Sequence, residues 1–600
     1  MSAYGTWRFG EDLRARRLTA KVFLAVLLPV LRLGAQDTRT ITEPFFPPIC
    51  SSLDAKLRSG AVGLSPESET SFDTQDVQKA LDTCAHGQAV QLRARNHNNA
   101  FLIAPIRIPT GVTLLVSPAV TVFASRNPRD YDANADKTCG TLQKNSGGCV
   151  PLISVSHGDG SGVMGYGVID GRGHLPMLID GVASKISWWQ LARQASGNLT
   201  QNNPRLLQVH NTDGFTLYKI TLKNSPNFHV SLGTCTNATI WGVKIVTPYD
   251  ARNTDGIDPG YSSNVTIRDS FISVGDDNVA IGGNNPPGAS NISVVNNWFG
   301  NGHGASIGSY TQAGVSRVLF ENIVISGEVL DRNQAGIRIK SDVSRGGLVE
   351  NITYRNFCMK DVHAAIVLDP FYTAGAKGEL IPQYRNISLQ NIHATTEGTI
   401  KIFGYDATRP ATVSLDNVQV DGVKASDVSI QYTGLTVGPT PINFSTMLTG
   451  QGVTVTDIVS QPNSTYTCSA EIFAPITGEL IRGAPQRLSV GHVRVQLFTT
   501  KANSYASYQA QTDVDPSATL DLPAPTGTVT IYDGDNMLGS VPLTGARVMR
   551  VPLSSLAIGT HNLTAAYSGD DRYPAIKFGS YPVEILAPSA QTAPAKGHRW

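Results

Sequence analysis

The chain is poor in charged residues, in aromatic residues and in long apolar runs. Charged residues make up only 16% of its 600 residues, aromatic residues make up 7%, and the formal net charge is +1. The whole molecule is therefore no electrostatic trap for polyanions, so we expect no nucleic-acid partner, and local cations must recognise any acidic ligand. The apolar run at residues 22–31 is too short to span a bilayer and no later run is long enough, so no membrane association is expected.

The N-terminal 35 residues have the composition of a secretory signal peptide. Four basic residues between positions 14 and 21 precede the apolar run, and Ala35 offers a small residue for cleavage. We therefore predict a signal peptide at residues 1–35 and a secreted, extracellular mature protein.

Glycine and proline are abundant, with 57 and 34 residues, a composition typical of many strands and turns. Asparagine followed by β-branched residues recurs along the chain, and Asn237, Asn264 and Asn291 are each 27 residues apart. This interval is close to one turn of a right-handed parallel β-helix, in which an asparagine at each turn satisfies stacked backbone groups. The sequence predicts an all-β fold with this solenoid at residues 36–480, and a helix at residues 72–85 covering its first turn.

The composition changes after residue 480. Short strands at intervals of 8 to 12 residues predict a small β-sandwich at residues 487–586. The stretches PTGTVTIYDG and GTHNLTAAYSGD resemble bacterial immunoglobulin-like domains. We predict that the tail at residues 587–600, rich in proline and alanine, is disordered.

Seven cysteines are consistent with an oxidising compartment. Cys139 and Cys149 close a short loop and are expected to pair, and a bond between Cys50 and Cys84 is possible. The others are expected to be buried small residues without a disulfide: Cys235, Cys358 and Cys468.

Four short polar motifs lie between residues 253 and 340: NTD at 253–255, GDD at 275–277, GHG at 302–304 and RIK at 338–340. The intervals are 21 residues from Asp255 to Asp276, 26 from Asp277 to His303 and 35 from His303 to Arg338. Stacked turns about 4.8 Å apart would bring these motifs together. Carboxyl groups that lie so close repel each other, so one should keep its proton and act as a general acid while an ionised one activates water.

The four motifs in this order and spacing resemble the polygalacturonases of glycoside hydrolase family 28, and the likeness spans about residues 45–480. The segment GYGVIDGRG at residues 165–173 agrees with it. The resemblance implies a right-handed parallel β-helix that hydrolyses the α-1,4 bond between galacturonic acid residues of pectin, with inversion and without a metal or other cofactor. Its partner would be the pectic polysaccharide homogalacturonan, and we expect a monomer.

The resemblance also assigns roles to eight residues. Asp276 would be the general acid, Asp255 and Asp277 would activate water, and His303 would tune the protonation of the acid. Substrate contacts would come from Asn253, Arg338, Lys340 and Tyr372. Because adjacent strand residues face opposite ways, Asp276 and Asp277 can both reach one groove only if the chain turns or bulges there.

Other polar and aromatic residues have simpler interpretations. A second NTDG at residues 211–214 is predicted to be a turn between strands. Trp188 and Trp189 could stack on sugars or pack in the interior, and Asn227 and His229 are interpreted as structural.

Two alternative functions remain open at this point. A pectate lyase would share the fold and bind Ca²⁺ through aspartates, although the GHG motif favours the hydrolase. A non-catalytic β-helical adhesin or carbohydrate-binding protein would have no need of paired acids. The sequence does not decide between attack within the polymer and attack from its end.

Overall fold

The structure is a computed structural model that describes residues 36–458 except 61–62, 136, 145–146, 180 and 328–333, then residues 466, 468 and 473, and after these 490–499, 506–514, 527–542, 548–553, 557, 559–568, 576–577 and 581–585. The predicted signal peptide, the predicted tail and the predicted domain junction at residues 480–487 all lie outside these residues. Among the described residues, no helix is long and apolar enough to cross a membrane.

Two long sheets of parallel strands form the body of the chain up to residue 457. The smaller one, here called the groove sheet, has eleven strands: Ile106–Arg107, Ile153–Ser156, Leu207–His210, Val230–Gly233, Ile257–Gly260, Val279–Ile281, Ala305–Gly308, Ala335–Lys340, Ala364–Asp369, Ile400–Phe403 and Val428–Gln431.

The larger sheet has twenty strands: Ile49–Asp54, Gln88–Arg93, Ala100–Ile103, Val112–Val116, Thr121–Ala124, Gly162–Gly165, Val168–Asp170, Thr216–Tyr218, Thr221–Lys223, Thr239–Trp241, Lys244–Val246, Ser263–Arg268, Phe271–Ser273, Ala289–Phe299, Val315–Ser326, Leu348–Lys360, Gln383–Ala394, Ala411–Val420, Thr433–Val437 and Thr454–Asp457. Most turns of the chain contribute to both sheets, and equivalent strands on successive turns pair in parallel. The predicted parallel β-helix is confirmed.

Aliphatic side chains fill the interior of the solenoid in columns. Ile257, Val279, Ala305 and Ile337 occupy one register position on four successive strands of the groove sheet, and none of them is exposed. Because side chains alternate along a strand, the residue that follows each of these points out of the solenoid. Burial of apolar area, at roughly 25 cal/mol per Å², is what holds the turns together.

The predicted helix near the N-terminus is present as α1, Thr74–Thr83, and packs Val77, Ala80 and Leu81 against the first turns. A second helix, α2, spans Trp188–Gln194. Short 3₁₀ helices and two-stranded pairs complete this part: Pro66–Thr70, Pro128–Tyr131, Ala425–Asp427 and Ser445–Met447, with Ser59–Gly60 and Gly63–Leu64, Leu142–Gln143 and Thr200–Gln201, and Pro176–Ile179 and Val182–Ser187.

Asparagines stack at a corner of the larger sheet. They are not the asparagines whose 27-residue spacing predicts the turns, of which Asn264 donates to Asn237 at 3.3 Å. The stacked side-chain amides bond in series over five turns at 2.8 to 3.0 Å, in the order Asn322 to Asn296, Asn356 to Asn322, Asn391 to Asn356 and Asn417 to Asn391. All five have φ between 55° and 60°, a left-handed conformation that asparagine tolerates better than most residues. We call this column the asparagine ladder.

An N-terminal segment, residues 36–48 and here called the strap, lies across the outside of the larger sheet. Asp37 donates its backbone N–H to Ser293 and accepts from Thr266, while Arg39 donates to the carbonyls of Asn237 and Ala238. Glu43 accepts from Tyr218, and the carbonyl of Pro48 accepts from Ala89. The strap therefore binds turns that are far apart in the sequence.

Three disulfides are present among the described residues. Cys139–Cys149 and Cys50–Cys84 match the two predicted pairs, and Cys235 is buried and free. The expectation that Cys358 and Cys468 are unpaired is wrong, since they form a bond with each other. Cys468 follows the last turn and returns to the strand Leu348–Lys360, a contact that the spacing of the two cysteines does not reveal.

The C-terminal strands form two antiparallel sheets, as expected for the sandwich. One contains Val490–Thr499, Ala506–Val514 and Val548–Leu553, and the other contains Thr528–Asp533, Asn536–Pro542, Gly559–Tyr567, Ile576–Lys577 and Tyr581–Ile585. Val529, Ile531, Leu563, Ala565 and Tyr567 are buried between paired strands. The strands Thr528–Asp533 and Asn536–Pro542 pair as a hairpin that turns at Asp533–Asn536.

Candidate active site

The predicted catalytic residues meet at one edge of the groove sheet. Asp255 directly precedes the strand Ile257–Gly260, Asp276 and Asp277 precede Val279–Ile281, and His303 precedes Ala305–Gly308. They therefore occupy corresponding loops on three consecutive turns. Asp276 and Asp277 lie in a bend and not within a strand, which is the departure from strand geometry that both need to reach the groove.

Arg338 and Lys340 lie on the next strand, Ala335–Lys340, two residues apart and on the same face, as predicted. Both contact Asp277. The guanidinium of Arg338 donates to Oδ1, and Nζ of Lys340 donates to Oδ2 at 2.7 Å. Ser306 also donates to Oδ1, at 2.8 Å.

Asp277 is buried, yet it is ionised. Burial alone would raise the pKa of its carboxyl, but the charges of Arg338 and Lys340 outweigh burial and hold that pKa far below its usual value. Burial of Arg338 itself is offset in the same way, because the charge of Asp277 raises its pKa. The three side chains form a compact ion cluster at the floor of the groove.

Asp276 is bonded to the histidine of the GHG motif. Nδ1 of His303 lies 2.9 Å from Oδ1 of Asp276, and the backbone N–H of His303 donates to the carbonyl of Asp276 at 2.9 Å. The remaining oxygen, Oδ2, accepts from Nδ2 of Asn253 at 3.4 Å. Burial raises the pKa of Asp276, but the hydrogen bond from His303 and the charge of Lys340 leave it below its usual value.

The pKa of Asp255 is shifted in the opposite direction to those of Asp276 and Asp277. Its side chain is buried, and its Oδ1 has no hydrogen-bond partner among the described residues. Burial, followed by the charges of Asp276 and Asp258, raises the pKa of Asp255 well above its usual value. The pKa of Asp255 is thus raised while that of Asp276, which the resemblance makes the general acid, is lowered.

The glycines that flank His303 are required because neighbouring parts of the chain pack closely against them. Gly304 has φ of +74°, and a Cβ at this position would lie 2.1 Å from the carbonyl oxygen of Gly336. A Cβ at Gly302 would lie 2.5 Å from Oδ1 of Asn278. Asn278 accepts from the N–H of Gly304 at 2.8 Å and donates to Ile272 and Asn301, so its amide fixes the loop that holds His303.

Tyr372 and Asn253 also reach the site. Nζ of Lys340 lies 5.1 Å from the ring centroid of Tyr372, and this ring is about half exposed. Asn253 lies outside the strands, with φ of +56°. All eight residues that the resemblance singled out are thus brought to one region.

Two further residues belong to this region although sequence reasoning gave them no role. Asp258 points out of the strand Ile257–Gly260 towards the same groove, its Oδ1 has no partner among the described residues, and burial raises its pKa. The alternation of that strand could have identified it. Gln201 donates from Nε2 to Oδ1 of Asn253 at 2.8 Å, and no sequence pattern predicts this contact across 52 residues.

The two tryptophans and His229, which the sequence did not assign to the site, are buried in the interior. Trp188 and Trp189 are buried in α2, so they do not present a face to a sugar, and Nε1 of Trp189 donates to Ser225. His229 is fully buried, and burial lowers its pKa to about 4. Its Nδ1 lies 3.0 Å from the carbonyl oxygen of Asp255, so the neutral ring supports the backbone of the site.

The second NTDG forms a turn. Asp213 accepts from Thr236 and from Asn237 at 2.5 and 2.6 Å. These hydrogen bonds lower the pKa of Asp213, so its carboxylate is satisfied within the turn.

A cation would find three close ligand atoms in the groove but a poor environment. One atom each from Asp276, Asp277 and His303 lies within 4.8 Å of the others. However, both oxygens of Asp277 already accept from Arg338 and Lys340, whose charges repel a metal ion. Ca²⁺ usually takes six to eight oxygen ligands, so the donor set does not fit a calcium site.

Comparison with known proteins identifies the families of both parts of the chain. The family described as "Glycosyl hydrolases family 28" matches residues 99–438, which is more than half of the chain, and the "Bacterial Ig-like domain (group 3)" family matches residues 498–585. A polygalacturonase of Ralstonia nicotianae is 38% identical over 68% of this chain and 84% of its own length. An endo-polygalacturonase of Pectobacterium carotovorum is 39% identical over 67% of this chain and 93% of its own length.

Solved structures lead to the same family. The structure of a polygalacturonase from Erwinia carotovora matches with a TM-score of 0.59 and 36% identity, over 66% of this chain and all of the other. The chain therefore belongs to glycosyl hydrolase family 28, where it groups with the polygalacturonases, and it is a glycoside hydrolase that carries a C-terminal immunoglobulin-like domain.

Proposed function

We propose that the protein hydrolyses the α-1,4 bonds between galacturonate residues of homogalacturonan, with inversion and without a metal. The observation that carries this proposal is the arrangement of three carboxyl groups in different states beside two cations. Asp277 accepts from Arg338 and Lys340, Asp276 contacts His303, and Oδ1 of Asp255 has no hydrogen-bond partner among the described residues. Acid and base are the two functions that sugar hydrolysis requires.

Inversion is supported by the contacts of Asp277. A retaining enzyme needs a carboxylate with a free oxygen to attack the sugar carbon. Both oxygens of Asp277 accept from cations, and Ser306 donates to one of them. Such a carboxylate is better suited to orient a water molecule than to form a bond to the substrate.

A substrate carboxylate would change the protonation of the site. In this proposal it pairs with Arg338 and Lys340, and so takes up the positive charge that now lowers the pKa of Asp277 and Asp276. Both pKa values then rise on binding, and Asp276 gains the proton that it donates to the leaving oxygen. His303, 2.9 Å from Asp276, supplies this proton. The carboxylate of Asp277 accepts the proton that the attacking water loses, and Asp255 helps to hold that water. Exchange of protons with solvent then restores both groups.

Further cations along the same face support an acidic polymer as substrate. Lys401 lies on the groove-sheet strand Ile400–Phe403, two turns after Lys340, and contacts Asp369 at 2.6 Å. On the other side of the site, Arg205 donates to Ser231 at 3.3 Å. Successive turns about 4.8 Å apart present these charges at intervals that suit a chain of uronic acids.

The test is incubation of the purified protein with polygalacturonate and excess chelator. We expect new reducing ends without the ultraviolet absorbance of unsaturated products, and NMR of the first product should give the β-anomer, as inversion requires. Absorbance that disappears with chelator would instead mean a calcium-dependent lyase. Binding of the polymer without either signal would support an adhesin.

We also propose that the mature protein is secreted as a monomer and that residues 487–586 form a separate immunoglobulin-like domain. Three disulfides among the described residues support an oxidising compartment. Secretion is tested by expressing the chain with and without residues 1–35 and assaying the medium. Light scattering of the secreted protein gives its oligomeric state, and limited proteolysis between residues 480 and 487 tests the domain boundary.

A further inference from the structure

We propose that Gln201 is a positioning residue that fixes the orientation of the Asn253 amide against Asp276. This inference rests on the proposed function, because it assigns Gln201 a role in setting the proton affinity of the proposed general acid. Gln201 lies outside the four motifs, on the short strand Thr200–Gln201.

The contact between the three side chains is directional. Nε2 of Gln201 donates to Oδ1 of Asn253 at 2.8 Å, and Nδ2 of Asn253 donates to Oδ2 of Asp276 at 3.4 Å. An amide can present either its oxygen or its nitrogen to a neighbour, at little cost in shape. The donor from Gln201 removes this freedom, because it requires the oxygen of Asn253 to face away from Asp276.

The orientation of Asn253 matters because of what it does to Asp276. A donor facing Oδ2 stabilises the ionised carboxylate and lowers its pKa, whereas an oxygen facing Oδ2 would favour the protonated carboxyl. Oδ1 is already bonded to His303 at 2.9 Å. Gln201 therefore determines, through Asn253, whether Oδ2 of Asp276 faces a hydrogen-bond donor. In this way it affects the balance between the protonated and ionised forms of Asp276.

Gln201 is itself held firmly. Its residue is buried, and its strand pairs in an antiparallel manner with Leu142–Gln143. The disulfide Cys139–Cys149 closes the loop that carries this partner strand, and the next residue, Asn202, bonds through its backbone to Thr141 and Gly140. A rigid support of this kind is what a positioning residue needs.

The test compares Gln201→Leu and Gln201→Glu with the wild type on polygalacturonate. Gln201→Leu releases the amide, so kcat should fall about tenfold with KM little changed, the equivalent of one hydrogen bond. In Gln201→Glu the new carboxylate accepts from Nδ2 of Asn253 and turns its oxygen towards Asp276. The alkaline limb of kcat/KM should then move to higher pH by about one unit, because the pKa of Asp276 rises.

Gln143→Glu is the matched control. It places the same charge on the partner strand, where the amide of Gln143 bonds to Thr141 and not to Asn253. An equal shift of the pH profile in Gln143→Glu and Gln201→Glu would mean that charge alone acts, and would overturn the proposal.

A double-mutant cycle separates positioning from folding. Asn253→Gly removes the amide while accommodating the left-handed backbone at φ of +56°. If Gln201 acts through Asn253, then Gln201→Leu should lower kcat in the wild type and have no further effect in Asn253→Gly. An effect of equal size in both backgrounds would overturn the proposal, whereas a wild type that releases no reducing ends would instead overturn the proposed function.

Discussion

The asparagine ladder and the carboxyl groups of the groove are built on the same repeat but differ in how their members satisfy one another. In the ladder each amide donates to the one before it, as Asn356 does to Asn322 at 2.9 Å. Three aspartates on neighbouring turns cannot do this, since an ionised carboxylate only accepts. Asp255 leaves Oδ1 without a partner among the described residues and has a raised pKa, and the others bind cations or His303. Stacking of identical side chains gives stability where they are amides and reactivity where they are acids.

The largest expected effect is the loss of turnover when a carboxyl of the groove becomes an amide. Asp276→Asn should lower kcat by roughly 10² to 10⁴, the usual contribution of general acid–base catalysis. The free energy of unfolding should fall only slightly, because the lowered pKa of Asp276 means that its ionised form stabilises the fold, while Asn keeps an oxygen that can accept from His303. Reducing-end assays and urea titration measure the two quantities.

Asp213→Asn serves as the control for that change. It makes the same substitution in the other NTDG, where the carboxylate accepts from Thr236 and Asn237. Its kcat should equal that of the wild type. Near-normal turnover of Asp276→Asn would contradict the assignment of the acid.

Asp277→Asn should show the cost of leaving cations unpaired. Arg338 and Lys340 are buried and lose their counter-charge, so we expect the free energy of unfolding to fall by about 3 to 5 kcal/mol. Urea titration against Asp276→Asn gives the comparison. Equal stability of the two variants would mean that the ion cluster is solvated and adds little.

The reverse substitution in the ladder is expected to affect stability and not activity. In Asn356→Asp a carboxylate oxygen faces the oxygen of Asn322, so the free energy of unfolding should fall by about 1 to 3 kcal/mol at neutral pH. Protonation restores a donor, and stability should therefore recover as the pH falls below the pKa of the new carboxyl. An unchanged kcat at the same protein concentration shows that the groove is intact, while a loss of kcat would contradict the separation of the two columns.

The smallest effect concerns the pH dependence of stability. Because the pKa of Asp255 is raised in the folded state, the folded protein binds a proton that the unfolded chain releases above its ordinary pKa near 4. Stability should therefore decline as the pH rises from about 4 towards the raised pKa. In Asp255→Asn this decline should be absent from thermal unfolding curves measured at several pH values. A decline of the same slope in both proteins would assign it to another group, with Asp258 the first to test.

Most of the fold and of the candidate site can be predicted from the repeat and from the four motifs. A solenoid turns residues at equal sequence intervals into neighbours, so the spacing of Asn237, Asn264 and Asn291 predicts the turns, and the four motifs predict the groove. Contacts that do not follow the repeat could not be predicted in this way. The bond between Cys358 and Cys468 and the contact of Gln201 with Asn253 join segments whose separation is set by loops, and no period relates them.

The sequence predicts that the groove carboxyl groups differ in pKa, but not which of them has the raised pKa. Repulsion implies that one carboxyl in the groove stays neutral, but which one depends on which oxygens find donors. Asp277 meets two cations, Asp276 meets His303 and Asn253, and Asp255 meets no donor among the described residues. These contacts arise from side-chain directions across three turns, which the sequence does not specify.

The strap has a consequence for the order of folding. Its residues are made before the strands that they bind, and Asp37 contacts Ser293 across 256 positions of the chain. During synthesis the N-terminal turns can fold first, each stacking on the one before it. The strap cannot dock fully at that stage, because the central turns that it binds have not yet formed. Docking of the strap is therefore a late, long-range step that closes a large loop. Because the docked strap connects distant turns, it couples their folding and unfolding.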